Sequence, residues 1–274
     1  MIKVKNIQNL NEILDLIENH EFDTKSGRHK SKYLYRGLPN EEFKIQTNIN
    51  RNYKNDHRDR EKCILRNFSK YVATKDLQVE ESIWSELIIG QHHGFPTRLL
   101  DWTYSPLIGL HFVTSCEDLS NMDKQNGVLW KIDMEELNAM LPNVYQKVLN
   151  DDNTSFFTLD MVNNLVKELD DYDDDMKSHS MVLIEPPIID KRLINQYSCF
   201  SIIPKSMNIE KFLNSKTNNT VKYIIDKDLR WRIRDMLDIM NINESIMNHG
   251  WKYPTGGPFE YSLSIANKMR SQLV

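Results

Sequence analysis

The sequence predicts an α+β fold, in which short strands and amphipathic helices alternate irregularly along the chain. Several short apolar runs end at glycine, proline or polar residues, which is typical of strands. Other segments space their apolar residues three and four positions apart, which is typical of helices. The chain has 274 residues, of which 40% are hydrophobic and 27% charged. This composition predicts a globular protein with a full core.

The amino-terminal half begins with apolar residues at helical spacing, which predict a first amphipathic helix. They are Ile7, Leu10, Ile13, Leu14 and Ile17. Residues 33–37 then predict a strand, residues 58–73 and 80–91 two helices, and residues 97–103 a strand or extended turn. A further helix should begin at Ser105-Pro106, because serine suits the cap and proline the first helical position.

The carboxyl-terminal half contains four more predicted strands, at residues 127–132, 181–184, 199–203 and 223–225. Residues 227–240 predict a helix with Ile233, Leu237 and Met240 facing the core. Between these elements lies an acidic run at residues 168–175. It lacks the glycine and terminal glutamate of a calcium-binding loop, so we interpret it as a solvated surface loop between two halves of one domain.

Charge and cysteine usage exclude several classes of protein. The formal net charge of −4 argues against a nucleic-acid interface over the whole surface, although it leaves a local basic groove open. Cys63, Cys116 and Cys199 form no C-x-x-C pair, which favours a reducing, cytoplasmic location. The first residues alternate apolar and charged side chains, and no apolar stretch reaches about 18 residues, so we expect no secretory signal and no membrane association.

The most concentrated set of candidate functional residues lies at residues 91–102, with the sequence QHHGFPTRLLDW. Polar groups this close to a predicted buried helix must be paired or must line a cleft. Arg98 and Asp101 could also form a buried ion pair that holds a turn. Adjacent histidines, His92 and His93, do not have the spacing of zinc ligands, so no metal is predicted. Cys116 and Cys199 lie in apolar strings typical of a core.

Two further segments carry polar residues beside predicted strands. In Tyr35-Arg36-Gly37, arginine offers a planar fork for a phosphate, and glycine permits a close backbone approach. These three residues alone favour the simpler interpretation, an ordinary exposed arginine at the end of a strand. Gln196 leads into an apolar strand, where its amide needs partners and could simply fix the register.

Together these segments resemble the FRG domain, a bacterial and phage family named for its Phe/Tyr-Arg-Gly motif. That motif corresponds here to Tyr35-Arg36-Gly37. Residues 91–107, QHHGFPTRLLDWTYSPL, are similar to the family signature Q-H-x-G-x-P-T-R-L-L-D-W-T-x-x-P-L. Residues 192–200 are similar to its R-I-x-x-Q-x-G-x-F segment, with Ser198 in place of the usual glycine. The resemblance covers roughly residues 5–250, and we expect an amino-terminal helical segment (1–30) packed on an FRG domain (31–274).

The order of these segments is also similar, more loosely, to that of ADP-ribosyltransferases. The resemblance implies a split, mainly antiparallel sheet flanked by helices, and an NAD-dependent transferase activity. It further implies a toxin or antiphage-defence role in the cytoplasm, a protein or nucleic-acid target, and a neutralising or regulatory protein partner. The alternative is a non-catalytic module that senses a nucleotide or a nucleic acid.

The transferase analogy also implies roles for individual residues. The implied catalytic residues are Arg36, Asp101, Glu185 and Gln196. The implied NAD-binding residues are Arg36, Gly37, His92, Arg98, Trp102, Thr103 and Ser105. Arginine would bind the pyrophosphate, and a carboxylate would stabilise the positive charge that develops on the ribose. The analogy places Gln196 or Glu185 at the late strand where transferases carry Glu or Gln, and a neutral amide at that position can only bind and orient a hydroxyl.

Overall fold

A computed structural model describes residues 1–18, 21–23, 27–53, 57–72, 82–115, 122–188 and 191–247 of the chain. Within these residues the strands are β1 (Lys3–Ile7), β2 (Glu21–Asp23), β3 (Arg28–Lys30), β4 (Tyr33–Leu38), β5 (Leu99–Thr103), β6 (Gly127–Asp133), β7 (Val182–Ile184), β8 (Ser198–Ile202) and β9 (Val221–Ile225). Seven of them form one mixed sheet in the order β1-β9-β6-β4-β5-β8-β7, and β2 and β3 form a separate two-stranded sheet. The α+β prediction is confirmed.

The helices are α1 (Leu10–Glu18), α2 (Asn48–Asn52), α3 (His57–Val72), α4 (Ile83–His92), α5 (Pro106–Val113), α6 (Met134–Asn138), α7 (Asn143–Asp151), α8 (Leu159–Leu165), α9 (Leu169–Met176), α10 (Lys191–Asn195), α11 (Ile209–Lys216), α12 (Lys227–Ile239) and α13 (Glu244–Met247). None of these described helices is long and apolar enough to cross a bilayer. The predicted start of α5 is confirmed, because Ser105 caps it by accepting from the amide of Ile108 and Pro106 follows at once.

Three groups of buried side chains pack the helices on both faces of the sheet. On one face, Trp102 of β5 and Trp130 of β6 pack with Phe212 of α11. On the other face, apolar side chains of α4, α8 and α9 cover β5, β7 and β8. On that same face, α1, α5 and α12 cover β4, β6 and β9. Strands covered on both faces explain why β6 is buried along its whole length.

Three predictions about local structure are wrong. The acidic run is not a loop but helix α9, which buries Leu169, Tyr172 and Met176 against the sheet and leaves Asp171, Asp174 and Asp175 exposed. Ile7 belongs to strand β1, which pairs in parallel with β9, so the first helix begins only at Leu10. Met240 is 46% exposed because it lies beyond the end of α12, where the helical periodicity no longer applies.

The central strand β4 pairs with its two neighbouring strands over very different lengths. It pairs with β6 over six residues, from Tyr33 to Leu38, but with β5 at the single position Tyr35↔Thr103. Beyond that pair the two strands separate. Arg36 and Gly37 follow on β4, and Asp101 and Trp102 precede Thr103 on antiparallel β5. The candidate motifs therefore lie beside one another where the two strands diverge.

Candidate functional site

Arg36 bridges the gap between β4 and β5. Its Nη1 donates to the backbone carbonyl of Asp101 at 2.7 Å and lies 3.4 Å from the carboxylate Oδ2 of the same residue. The Arg36 side chain is 16% exposed and that of Asp101 48% exposed. Burial lowers the pKa of Arg36, and the Asp101 carboxylate acts in the opposite direction. The guanidinium remains charged, since arginine does not deprotonate in proteins.

A second contact fixes the carboxylate of Asp101 from the side of helix α4. The Nε2 group of Gln91 donates to Asp101 Oδ2 at 2.9 Å, and the hydroxyl of Thr97 donates to Gln91 Oε1 at 2.6 Å. The Asp101 carboxylate can only accept, so Gln91 must present its NH2 group to Asp101 and its Oε1 to Thr97. Thr97 therefore donates to Gln91, while its Oγ1 accepts from the amide of Leu99. We call Arg36, Gln91, Thr97 and Asp101 the Asp101 network.

The local backbone explains how Gln91 reaches Asp101. Helix α4 ends at His92, and Gly94 adopts a positive φ of 80°, which favours glycine. The amide of Gly94 donates to the carbonyl of Gln91, and that of Phe95 to the carbonyl of Gly90. This turn reverses the chain, so β5 runs back beside the last turn of α4.

Arg98 belongs to a different cluster. It is 5% exposed, and its guanidinium donates to Glu61 Oε2 at 2.6 and 2.8 Å and to Asp173 Oδ1 at 2.8 Å. Burial on its own would lower the pKa of Arg98, but the two carboxylates outweigh it and raise the pKa above its ordinary value. The ion pair that we considered for Arg98 and Asp101 is therefore formed with Glu61 and Asp173 instead.

Gly37 lies where helix α5 crosses β4 at close range. A Cβ atom built on Gly37 would be 2.0 Å from the carbonyl oxygen of Gly109 and 2.7 Å from the amide nitrogen of Val113. Real Cβ atoms do not approach backbone this closely, so glycine is required for the packing of α5 on the sheet. A role of Gly37 in binding NAD stays a prediction.

The other predicted NAD-binding residues lie in different surroundings. Trp102 is buried and donates from Nε1 to Ser201 Oγ at 2.9 Å, so its ring belongs to the core. Thr103 Oγ1 accepts from the amide of Ser105 at 3.2 Å, and Ser105 caps α5. His92 ends α4, with its ring edge-to-face against His93 at 5.2 Å. These contacts are structural, and binding roles for these residues remain predictions.

Gln196 lies in the turn between α10 and β8. Its side-chain Nε2 donates to the backbone carbonyl of Met247 at 2.7 Å. The backbone carbonyl of Gln196 accepts from Thr103 Oγ1, also at 2.7 Å. The neighbouring Asn195 donates to Ile246 in the same way, so two amides bind the last carbonyls of α13. Tyr197 takes the positive φ of 45° in this turn, and Ser198 does not, so the backbone at position 198 does not require glycine.

Glu185 follows strand β7 and is exposed. Its Oε1 accepts from the hydroxyl of Tyr104 at 2.7 Å. Burial, the Cys199 thiol and Glu185 together raise the pKa of Tyr104 well above its ordinary value, so Tyr104 remains a neutral donor. Tyr104 follows β5 directly, which places Glu185 at the far end of that strand from Arg98.

The structure thus brings together Arg36 and Asp101, which are 65 positions apart in the sequence. Gln196 reaches the same strand at Thr103, two residues from Asp101, but its side chain points to Met247. Sequence reasoning did not single out Gln91 or Thr97 individually, and it did not predict Glu61, Tyr104 or Asp173 as partners. Gln91 and Thr97 flank the turn at Gly94, and this pattern could have indicated that their side chains meet. The partners of Arg98 come from distant segments, and no local pattern indicates them.

The cysteines and the possible metal ligands add no further candidate group within the described residues. Cys199 is fully buried in the core, as expected, whereas Cys116 lies outside the described residues. Burial, Glu185 and Asp101 raise the pKa of the Cys199 thiol, which keeps it protonated. Within the described part of the chain, no three His, Cys, Asp or Glu side chains are grouped as metal ligands.

Comparison with known families finds one match. Residues 31–122 match the FRG domain. This range contains every member of the Asp101 network together with Gly37 and Arg98, and it ends before Glu185 and Gln196. No curated protein and no solved structure is significantly similar to the chain. The similarity to ADP-ribosyltransferases therefore remains an analogy in the order of segments.

Proposed function

We propose that the protein is a toxin or antiphage-defence effector of the bacterial cytoplasm that uses the Asp101 network to transfer ADP-ribose from NAD to a protein or a nucleic acid. The FRG domain over residues 31–122 is compatible with such a role. The proposal further includes a neutralising or regulatory protein partner, since a cell must control an enzyme that consumes NAD.

The observation that carries the proposal is the state of the Asp101 carboxylate. Its Oδ2 is held by Gln91 and Arg36, while Oδ1 has no hydrogen-bond partner among the described residues. The side chain is nevertheless 48% exposed. A carboxylate that is fixed by two donors and open on one oxygen can face a developing positive charge without reorganising.

The chemistry follows from this arrangement. The bond between nicotinamide and the ribose C1′ breaks, nicotinamide leaves with the bonding electron pair, and positive charge develops on the ribose. Asp101 Oδ1 stabilises that charge, and the target's nucleophile forms the new bond to C1′ and loses its proton to solvent. The Nη2 group of Arg36, which has no partner among the described residues, is available for the NAD pyrophosphate.

The test is incubation of the protein with NAD labelled in its adenylate part, together with bacterial extract. We expect release of nicotinamide and label on protein, RNA or DNA, which are separated before counting. Asp101→Asn should abolish both signals, because the amide keeps the shape but loses the charge. Asp151→Asn, at the exposed end of α7, removes a carboxylate far from the network and should change neither. Nicotinamide release that persists in Asp101→Asn would contradict the proposal.

A second function, a non-catalytic nucleotide-sensing module, is favoured by one specific observation. In the analogy of segment order, Gln196 would take the place of a catalytic carboxylate, and its amide donates instead to the carbonyl of Met247. Calorimetry with NAD separates the two functions. A sensing module should bind NAD without consuming it, and Asp101→Asn should weaken that binding. A transferase should release nicotinamide over the same period.

A further inference from the structure

A group of lysines lies on one face of the sheet, towards its β1 edge. Lys3 pairs with Val221 of β9, and Val221 pairs with Lys131 of β6, so the three residues form one row across the sheet. Lys5 lies two residues further along β1 and therefore on the same face. The Cα atoms of Lys3 and Lys5 are roughly 7 Å apart along the strand, and those of Lys3 and Lys131 roughly 10 Å apart across two strand spacings. We call Lys3, Lys5 and Lys131 the edge lysines.

Lys131 is an unusual member of this group because it belongs to a central strand. Lys131 is only 6% exposed, and its Nζ lies 3.9 Å from the centroid of the Tyr33 ring. Burial lowers the pKa of Lys131, as do the charges of Lys5, Lys3 and Lys32, while Asp133 raises it. The positive charges are therefore close enough to repel one another.

The nearby carboxylates do not neutralise the edge lysines. Asp133 and Glu135 lie 3.9 and 3.7 Å from the Nζ of Lys32. Asp133 also caps helix α6 through its Oδ1. Among the described residues, no carboxylate forms an ion pair with Lys3, Lys5 or Lys131. An excess of positive charge thus remains on this face of a chain whose formal net charge is −4.

Protection of an open sheet edge explains only part of the pattern. Lysines on an edge strand prevent pairing with another chain, and exposed Lys3 and Lys5 on β1 would serve that purpose. Lys131 lies two strands inside the edge, where no such protection is needed. Burying a lysine beside two others costs free energy, which an anionic ligand would recover.

We propose that Lys3, Lys5 and Lys131, with the Tyr33 ring beside them, form a binding surface for the phosphate backbone of a single-stranded nucleic acid. Lys3 and Lys5, whose Cα atoms are roughly 7 Å apart, suit successive phosphates better than one small anion, and the buried Lys131 adds its positive charge on the same face. An aromatic ring among lysines is a common arrangement where unpaired bases stack. The surface is distinct from the Asp101 network, and the proposal does not require NAD turnover.

The test is fluorescence anisotropy with a fluorescein-labelled oligothymidine, measured from about 50 to 200 mM salt. The double variant Lys3→Gln, Lys5→Gln should weaken binding by roughly tenfold at the lowest salt. The slope of log K against log salt should fall by roughly 1.4, since each contact to a single strand contributes about 0.7. The matched control is Lys147→Gln, Lys167→Gln, two exposed lysines beside α7 and α8, which should leave both quantities unchanged.

Three results would overturn the proposal. The first is no salt-dependent binding by the unmodified protein, and the second is equal weakening in the control double variant. The third is binding to vesicles that contain anionic lipid without binding to the oligonucleotide, which would assign the surface to membranes. Lys3 and Lys5 are exposed, so circular dichroism should show an intact fold in both double variants. NAD binding should also be unchanged in the Lys3, Lys5 variant, which keeps this test separate from that of the Asp101 network.

Discussion

The guanidinium of Arg36 donates to the backbone carbonyl of Asp101, 65 positions away in the sequence, at 2.7 Å. It does so at the point where β4 and β5 no longer pair with each other. One side chain thus replaces part of the missing strand contact and at the same time contacts the carboxylate of the candidate site. Arg36 consequently has a structural role in addition to the functional role that we propose, and its substitution must be interpreted with both in view.

We predict that Arg36→Lys and Asp101→Asn affect stability differently. Loss of the charge-assisted bond from Arg36 should lower the free energy of unfolding by about 1.5–3 kcal/mol. A lysine cannot reproduce a guanidinium that binds a carbonyl and a carboxylate together. Asp101→Asn should change stability by less than about 1 kcal/mol, because the side chain is half-exposed. Urea unfolding of both variants checks the prediction, and equal losses would contradict it.

The second prediction concerns the close contact between β4 and α5. Gly37→Ala should destabilise the protein by about 3 kcal/mol or more, because the new methyl group would meet the backbone of Gly109 and Val113. Gly90→Ala in α4 is the matched control, since its Cβ would meet Phe95 and Thr97 at ordinary contact distances. That change should be neutral or should stabilise the helix by up to about 1 kcal/mol. Thermal unfolding distinguishes them, and a stable Gly37→Ala variant would show that α5 can move.

Much of the fold was predictable from the sequence because its elements have strong local signals. The predicted strand at residues 33–37, the helix at residues 58–73 and the cap at Ser105 match β4, α3 and α5 closely. Helix α9 was missed because its acidic residues suggest a solvated loop. Its apolar residues, Leu169, Tyr172 and Met176, are three and four positions apart and were the better signal.

The candidate site was predictable only in part. The transferase analogy assigned Arg36, Asp101 and Arg98 to one site, and Arg36 and Asp101 do contact each other. Arg98 instead contacts Glu61 and Asp173, which come from α3 and α9. A short motif indicates that an arginine needs a partner, but it does not indicate which distant carboxylate supplies it. That choice depends on how the helices pack.

The third prediction concerns this buried cluster of Arg98, Glu61 and Asp173. Glu61→Gln should lower the free energy of unfolding by about 3–5 kcal/mol, because Arg98 would keep a buried charge with one main partner removed. Asp173→Asn should cost less, since Glu61 still neutralises Arg98. NAD binding per folded molecule should be unchanged in both variants. A change in NAD affinity without a change in stability would instead place Arg98 in the site.

Gln196 provides the fourth prediction. Its NH2 group donates to the carbonyl of Met247, so Gln196→Glu would place two acceptors against each other and should destabilise the fold by about 1–3 kcal/mol. Gln196→Ala should cost about as much or slightly less. The neighbour Tyr197 is exposed, so Tyr197→Asn, which also tolerates a positive φ, is a suitable control. Retained stability of Gln196→Glu with increased nicotinamide release would show that Gln196 faces the substrate.

The last prediction concerns alkaline pH and two buried tyrosines near the edge lysines. Burial raises the pKa of Tyr35 to about 12 and that of Tyr223 also to about 12, from an ordinary value of 10.0. Between about pH 10 and pH 12 the unfolded chain loses the protons of these two phenols, while the folded protein keeps them. The stability that these neutral tyrosines contribute is therefore complete below about pH 10 and is lost as pH rises towards 12.

Urea unfolding at pH 8, 9, 10 and 11 should accordingly show a free energy of unfolding that declines more steeply above about pH 10. The double variant Tyr35→Phe, Tyr223→Phe removes both protons and should make that decline less steep without abolishing it, because burial also raises the pKa of Tyr104, Tyr145 and Tyr172. Tyr197→Phe, at an exposed position, should leave the decline in place. The comparison needs only the slopes, so a uniform loss of stability in the double variant does not affect it. An unchanged slope in the double variant would mean that other groups cause the alkaline unfolding.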